Sequence, residues 1–494
     1  MSAAAARTAT LLAALITAAA LAAAEPQPLR LTVAEAIVTA LARNRDLRVQ
    51  RIQPAIVATD EDIERAAFDP TVDAEVSIGR THERVRDGAD TFHARVETRH
   101  ASIGLRQDLP TGTALSVQAS TTLDRAQAGG DAATSSVGLT VSQALLRGLG
   151  PAANLARVRQ ARLEHGISLY ELRGYTSALV ASVEDAYWSH AVAVSRVGIV
   201  RESLALAERS RDEVRGHIEV GTLAAIELHA AEAELAWRRE DAIAARAQAA
   251  TTRLRLLDLV EPEARSPLTL MVELGDEAGE AQPLDDVDQH VAVALRLRPE
   301  LDQARLRLRQ GDLALVETRN GLLPRLDLFA TLGGSGYADS FSGTLDQEGG
   351  GAHDLTVGLR LRHALGNRAA EAVHRRATLG RAQSDAAIAN LERLVELDVR
   401  LAHVAASESA ELIAASAATV SFQQAKLDAE TEKLRVGTST SLAVAQAQRD
   451  LVASRLGAAE TRVRHRRDLA ALHRADGSLL ARRGIDAPGA QPGD

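Results

Sequence analysis

Two long tracts without proline constrain this chain more than any other feature of its sequence. They cover residues 152–261 and 325–487. Within the first tract, the helical pattern over residues 152–217 would span roughly 100 Å, since an α-helix rises about 1.5 Å per residue. A comparable pattern covers about residues 367–434. Helices of this length are typical of coiled coils, stalks and tubes, and exceed what a globular domain needs.

The chain also contains an internal repeat. Three pairs of segments match in the same order along the two halves: ALARNRDL at 40–47 with ALRLRPEL at 294–301, GLTVSQAL at 138–145 with GLRLRHAL at 358–365, and Val-Gly-Thr at 220–222 with Val-Gly-Thr at 436–438. Ordered matches of this kind are the sequence signature of a duplicated supersecondary unit. The predicted parts are a first structural repeat at 25–260, a connecting segment at 261–285, a second repeat at 286–475 and a C-terminal tail at 476–494.

Each repeat is predicted to hold short helices, then strands, then long helices. The predicted ranges are helices 33–67, strands 72–146 and long helices 152–260 in the first repeat, and helices 286–320, strands 326–361 and long helices 367–475 in the second. The strand segments alternate in polarity: VDAEVSI at 72–78 and LTVGLRL at 355–361 each place apolar residues at every second position. This period indicates strands with one apolar face. It fits a membrane barrel with lipid outside and water inside, and it also fits a soluble sandwich.

The N-terminus predicts export. Arg7 precedes the apolar run at 11–24, which ends in an Ala-x-Ala pattern before Glu25. Such a segment is typical of a cleavable signal peptide, predicted at 1–24. The chain has no cysteine, which excludes disulfides and thiolate chemistry, and its formal net charge of −9 argues against a nucleic-acid partner.

In its doubled order of helices and strands, its SQALLRG segment at 142–148 and its paired Val-Gly-Thr segments, the chain resembles the TolC family of outer-membrane efflux channels. The resemblance implies a mixed α and β membrane protein in the bacterial outer membrane. It implies a homotrimer whose strands form one shared β-barrel, continued by a long periplasmic α-helical barrel. The implied role is a passive exit duct for an efflux or type I secretion system. The implied partners are a periplasmic adaptor, an inner-membrane transporter and outer-membrane lipid.

The resemblance also suggests site residues. Periplasmic turns that contact the adaptor would be Val220, Gly221, Thr222, Val436, Gly437 and Thr438. A reversal between two helices favours a glycine with positive φ, and Thr222 and Ser439 are expected to cap the helices that follow. The channel gate would lie beside these turns, at Glu227, Ser439, Ala443 and Gln446. The family often has two aspartates at the positions of Ala443 and Gln446, so the implied acidic ring is weaker here.

The number of strands is left open by the sequence. The candidate strands are 72–79, 96–108, 113–123 and 137–146 in the first repeat, and 326–332 and 355–361 in the second. The family usually contributes four strands from each protomer. Six crossings, with LPTGT at 109–113 as a short turn, would give a wider barrel. In the alternative reading, this hairpin extends above the membrane and four crossings remain.

Other chemistry finds little support in the sequence. GLGPAA at 148–153 fits a nucleotide-binding pattern, but the following helix is far too long for a dinucleotide fold, so we interpret it as a strand-to-helix turn with Pro151 at the first helical position. The fourteen histidines show no metal-ligand spacing. We therefore predict no catalytic residues, no cofactor and no metal site. The alternative function is that of a periplasmic coiled-coil scaffold or adaptor. The sequence does not identify the transported substrate.

Overall fold

The computed structural model describes residues 29–87, 90–126, 130–261, 270–281, 283–338, 353–436 and 438–486. The predicted signal peptide and Gly437 lie outside these residues. The chain divides into two compact units. A helical unit contains the chain up to Ile52, Tyr170–Leu301 and the chain from Leu391 onward, and a strand unit contains Gln53–Leu169 and Asp302–Asn390.

Helices account for most of the described residues. They are α1 (Val33–Arg43), α2 (Arg45–Gln50), α3 (Gln53–Arg65), α4 (Pro151–Asn154), α5 (Ala156–Glu219), α6 (Ile226–Val260), α7 (Val287–Leu297), α8 (Pro299–Gly321), α9 (Arg368–Arg435), α10 (Ser441–Ala475) and α11 (Leu479–Arg482). The strands are β1 (Leu29–Leu31), β2 (Thr71–Asp87), β3 (Asp90–Asp108), β4 (Thr113–Ala126), β5 (Gly130–Ala144), β6 (Val272–Leu274), β7 (Arg325–Ala338) and β8 (His353–Arg362). Among the described helices, none is both long and apolar enough to cross a membrane.

The helical unit is organised around the start of α1. Thr32 caps this helix and forms a capping box with Glu35, which satisfies two backbone N–H groups at the helix end. Strand β1 pairs in parallel with β6. The buried Tyr187 of α5 links β1 to the segment after β6, because its hydroxyl donates to the Leu31 carbonyl at 3.1 Å and accepts from the Asp276 backbone N–H at 3.1 Å. Apolar side chains from α1, α5 and α6 pack around it.

Residues at the start of the predicted C-terminal tail pack in this unit. Asp476 is buried and its carboxylate lies 2.7 Å from Nδ1 of the buried His290. Arg483 forms a bidentate ion pair with the buried Glu184, with both N–O distances at 2.7 Å. Leu479 and Leu480 of α11 belong to the apolar core. The end of the chain through Arg483 is therefore part of the folded unit.

The buried His190 is expected to make the stability of the helical unit depend on pH. Its Nδ1 lies 3.1 Å from the Thr252 hydroxyl, and burial, with a smaller contribution from the charge of Arg253, lowers its pKa from 6.5 to about 4. The unfolded chain therefore binds a proton more readily, and stability falls as pH decreases from 6.5 towards 4. We expect the melting temperature of the purified protein to fall over this range, and to fall less in His190→Gln. An identical pH dependence in the two proteins would contradict this assignment.

The strand unit contains one antiparallel sheet in the order β2-β3-β4-β5-β7-β8. The sheet thus joins four strands of the first predicted repeat to two of the second. Several strands extend beyond the predicted segments: β2 has 17 residues and β3 has 19, and their ladder continues to the pair Asp87 and Asp90. Strands β2 and β8 are the two edges of the sheet.

One face of this sheet is apolar and exposed. Register places the alternating apolar residues of neighbouring strands opposite one another, such as Val72 with Leu105 and Leu332 with Leu355. Residues that lie opposite in a ladder share a face. Val76 is 81% exposed and Leu355 is 70% exposed. An apolar face of this extent normally marks a contact with lipid or protein.

One end of the sheet adjoins the helices that precede and follow its strands, and we call this end the helix end. The LPTGT turn lies there. Asn154 of α4 donates from Nδ2 to the Pro110 carbonyl at 2.9 Å, and the Gly150 backbone N–H donates to the Thr111 carbonyl at 3.1 Å. Pro151 occupies the first position of α4, after Gly150 with φ of 82°, which confirms the predicted strand-to-helix turn. The other end, where β2 meets β3 and β4 meets β5, is called the far end.

Candidate functional site: the two helix reversals

The first reversal joins α5 to α6 through a Schellman motif. The Gly221 backbone N–H donates to the Ile218 carbonyl at 2.9 Å, and the Thr222 backbone N–H donates to the His217 carbonyl at 2.8 Å. Gly221 has φ of 79°, and no neighbouring atom lies within 4 Å of where a Cβ would stand. These two bonds satisfy carbonyls that the end of a helix leaves free. The predicted positive φ at Gly221 is confirmed. Glycine is favoured here by this backbone conformation, because the space around the Cβ position is open.

The second reversal, from α9 to α10, repeats this hydrogen bonding at its threonine. The Thr438 backbone N–H donates to the Lys433 carbonyl at 2.8 Å, and its hydroxyl donates to the same carbonyl at 3.1 Å. Thr222 uses its hydroxyl in the same way on the His217 carbonyl, at 2.8 Å. Gly437 lies outside the described residues. Both Val-Gly-Thr segments therefore place a threonine that closes the preceding helix.

The prediction that Thr222 and Ser439 cap the following helices was wrong. Thr222 is bound to the helix before it, and the first residue preceding α6, Ala225, has no capping side chain. Ser439 donates to the Glu430 carboxylate at 2.7 Å. Thr440 caps α10, because its hydroxyl accepts from the Ala443 backbone N–H at 3.2 Å. The capping residue stands one position later than predicted because Ser439 still contacts α9.

Two of the four candidate gate residues, Glu227 and Ser439, form side-chain hydrogen bonds. Glu227 contacts the second reversal directly, since the Ser441 hydroxyl donates to its carboxylate at 3.0 Å. Ser439 contacts Glu430, whose pKa is held below its ordinary value by hydrogen bonds from Lys433 and then Ser439. Ala443 is half-buried and Gln446 is exposed, and neither supplies a carboxylate. The structure thus brings Glu227 to Ser441, a residue the sequence reasoning did not select.

A cluster further along α6 and α10 was also missed. Glu234 accepts a hydrogen bond from Arg449 of α10 at 2.9 Å, and its carboxylate forms an ion pair with Arg238 of its own helix at an N–O distance of 2.8 Å. The guanidinium groups of Arg238 and Arg449 lie 5.7 Å and 6.0 Å from the centre of the Trp237 ring. The Glu234–Arg238 spacing of four residues could have indicated the pair within α6. The contact with Arg449 depends on packing between helices, which the sequence does not show.

Apolar side chains surround both reversals. Val220, Ile226, Val436 and Leu442 are all more than three-fifths exposed. Within the described residues, no group of histidine and carboxylate side chains could hold a metal ion. Both reversals therefore present exposed apolar residues beside polar, hydrogen-bonded turns.

Comparison with known proteins adds the identity of the fold. No protein-family model matches the sequence, and no curated protein matches it. Solved structures do match. The outer-membrane channel OprN is 19% identical with a TM-score of 0.68, and the match covers 90% of each chain. The Campylobacter jejuni CmeC outer-membrane channel is 15% identical with a TM-score of 0.65, covering 90% of this chain and 86% of that one. The outer-membrane protein VceC from Vibrio cholerae is 15% identical with a TM-score of 0.66, covering 90% and 96%.

The chain therefore has the fold of TolC-like outer-membrane channels, as the sequence resemblance predicted.

Proposed function

We propose that this protein is the outer-membrane exit duct of a tripartite efflux or type I secretion system, and that it conducts substrate passively. The observation that carries the proposal is the likeness to outer-membrane channels over 90% of the chain. The exposed apolar face of the sheet supports it, because a lipid-facing barrel surface has this alternating pattern. The protein would carry a cleavable signal peptide and perform no covalent chemistry.

The sheet edges support the proposed trimer. An exposed edge strand offers unpaired backbone groups to another chain. In the proposed homotrimer, β2 of one protomer pairs with β8 of the next, and six strands from each protomer close into one barrel. The position of the LPTGT turn at the helix end supports six crossings, since β3 and β4 then each traverse the full sheet. Three protomers would contribute eighteen strands, more than the twelve of a four-strand protomer, and would enclose a wider lumen.

The two predicted repeats are supported by element lengths. Helices α6 and α10 each have 35 residues, and α5 and α9 have 64 and 68. In the proposed duct, these helices form the periplasmic conduit. The two reversals contact a periplasmic adaptor, which links the duct to an inner-membrane transporter. The exposed apolar residues of the reversals suit a contact with an adaptor helix.

Location provides the direct test. We expect the mature protein to begin at Glu25 and to be found in the outer-membrane fraction as a detergent-resistant trimer. N-terminal sequencing and electrophoresis of unheated and heated membrane extracts would measure both. Protein found only in the soluble periplasm would overturn the duct and favour the scaffold alternative.

A further inference from the structure

The apolar face of the sheet changes character abruptly towards its far end. On β2, apolar residues occupy alternate positions from Val72 to Ile78, a length of roughly 20 Å at about 3.3 Å per residue. The next residues on the same face are Arg80, His82 and Arg84. On β3, register places Arg99 opposite Ile78 and Arg95 opposite His82. One continuous face therefore carries an apolar band and, towards the far end, a dense group of basic residues.

We define the basic patch as Arg80, Arg84, Arg95 and Arg99. All four residues are exposed. Glu97 lies between two of them, accepting from Arg80 at 3.1 Å and from Arg99 at 2.8 Å. Arg84 and Arg95 form no ion pair with a described residue. The patch therefore has a net positive charge, with two guanidinium groups available to an outside anion.

The patch continues beyond the first two strands. Arg125 of β4 lies opposite Glu97 in the ladder and is exposed on the same face. The opposite face of β2 carries acidic and small polar residues over the same length, beginning with Asp73 and Glu75. Along β2, charge is thus separated between the two faces.

Membrane energetics fix where such a patch lies. Arginine on the lipid face of a barrel costs about 2–4 kcal/mol at the midplane of the bilayer and about 0–1 kcal/mol near its surface. Four arginines on this face are therefore tolerated only beyond the hydrocarbon. The boundary falls at the level of Ile78 and Arg99, which lie opposite each other at the end of the apolar band that is remote from the helices. Given the proposed function, that end faces the outer leaflet.

We propose that the basic patch binds the phosphate groups of outer-leaflet glycolipid. This inference rests on the proposed function. Guanidinium groups bind phosphate oxygens in bidentate pairs, and clusters of four or more basic residues beside a membrane segment recognise anionic lipid. The patch is continuous with the apolar band, so one lipid molecule can place its acyl chains on Val76 and Ile78 and its phosphates on Arg84 and Arg95.

The test uses the full-length protein in an uncharged detergent, with diphosphorylated lipid A as the probe and native mass spectrometry as the measurement. We expect the double variant Arg84→Gln/Arg95→Gln to bind this lipid about tenfold more weakly or worse, since each basic residue near an anionic surface contributes measurably to affinity. The double variant with lysine at both positions should bind this lipid with an affinity between those of the glutamine variant and the unmodified protein. Lipid A without phosphates should bind weakly to all of them.

A matched control removes two arginines from the other face. Arg106 lies opposite Thr71 and Arg360 lies opposite Asp327, both on the polar side of the sheet. Arg106→Gln/Arg360→Gln has the same charge change and should retain full affinity. Unchanged affinity in Arg84→Gln/Arg95→Gln, or equal loss in both double variants, would overturn the inference. So would loss of the trimer before lipid is added, because the patch would then be a contact between protomers. A protein that forms no outer-membrane trimer at all would overturn the proposed function as well.

Discussion

Gly221→Val should impair export far more than it impairs barrel assembly. The residue has φ of 79°, a conformation that costs an ordinary L-residue about 1–2 kcal/mol and a β-branched one more. Valine would break the hydrogen bonds of Gly221 and Thr222 to α5, so the reversal and its exposed residues would be displaced. We expect detergent-resistant trimers in near-normal yield, with strongly reduced efflux in cells that carry the complete tripartite system. Faster amide hydrogen exchange at Thr222 would report the local change directly.

Two control variants separate backbone conformation from side-chain size. Gly216→Val makes the same substitution one turn earlier in α5, where φ is negative and space around the Cβ position is open. Gly221→Asn introduces a residue that adopts positive φ readily. Cells that carry either variant should show nearly normal efflux. Normal efflux and adaptor binding in Gly221→Val, or an equal defect in Gly216→Val, would contradict the role assigned to this turn.

A thiol at Thr111 should be inaccessible from outside intact cells. Thr111 is exposed, but it lies in the turn at the helix end of the sheet, which faces the periplasm if all six strands cross the membrane. We expect Thr111→Cys to remain unlabelled by a bulky, membrane-impermeant maleimide in intact cells and to be labelled after permeabilisation. Gly112 is unsuitable for this purpose, because its φ is 85° and a Cβ would lie 2.2 Å from the Gly148 carbonyl oxygen.

Tyr337→Cys provides the opposite control. Tyr337 is exposed near the far end of β7, and its thiol should be labelled in intact cells. The chain has no natural cysteine, so any label on the purified protein reports the introduced thiol. Labelling of Thr111→Cys in intact cells would place the turn outside and reduce the crossings to four.

The sequence predicted the long helices well because proline is disfavoured in helix interiors. Helix α4 begins at Pro151, and the long helices α5 and α9 lie within the proline-free tracts. The strands were predicted too short for a physical reason. After Gly79 the β2 sequence reads RTHERVRD, which has no apolar face, yet its backbone ladder continues to Asp87. Backbone pairing needs only a partner strand, whereas the sequence pattern detects burial.

The candidate site was predicted in part. The Val-Gly-Thr segments were recognised as reversals, because glycine after a long helix indicates a helix end. The contacts of Glu227 with Ser441 and of Glu234 with Arg449 were not predicted, since each joins two helices more than 200 positions apart. The capping role of Thr440 was missed because Ser439 and Thr440 are both good caps, and only the position of Glu430 decides between them.

If the protein is exported as proposed, the pairing of β5 with β7 also limits how the chain can fold after it has crossed the inner membrane. The hydroxyls of Thr140 and Thr331 meet across this ladder although 191 positions separate them. Strands β2 to β5 are joined by short connections and can pair early, but the free edge of β5 must wait until β7 has been translocated. Long-range pairing of this kind is slow, and unpaired edges with apolar faces aggregate during such delays. A chain that stops before residue 325 should therefore depend on holding chaperones, and the interval of exposure should lengthen as secretion slows.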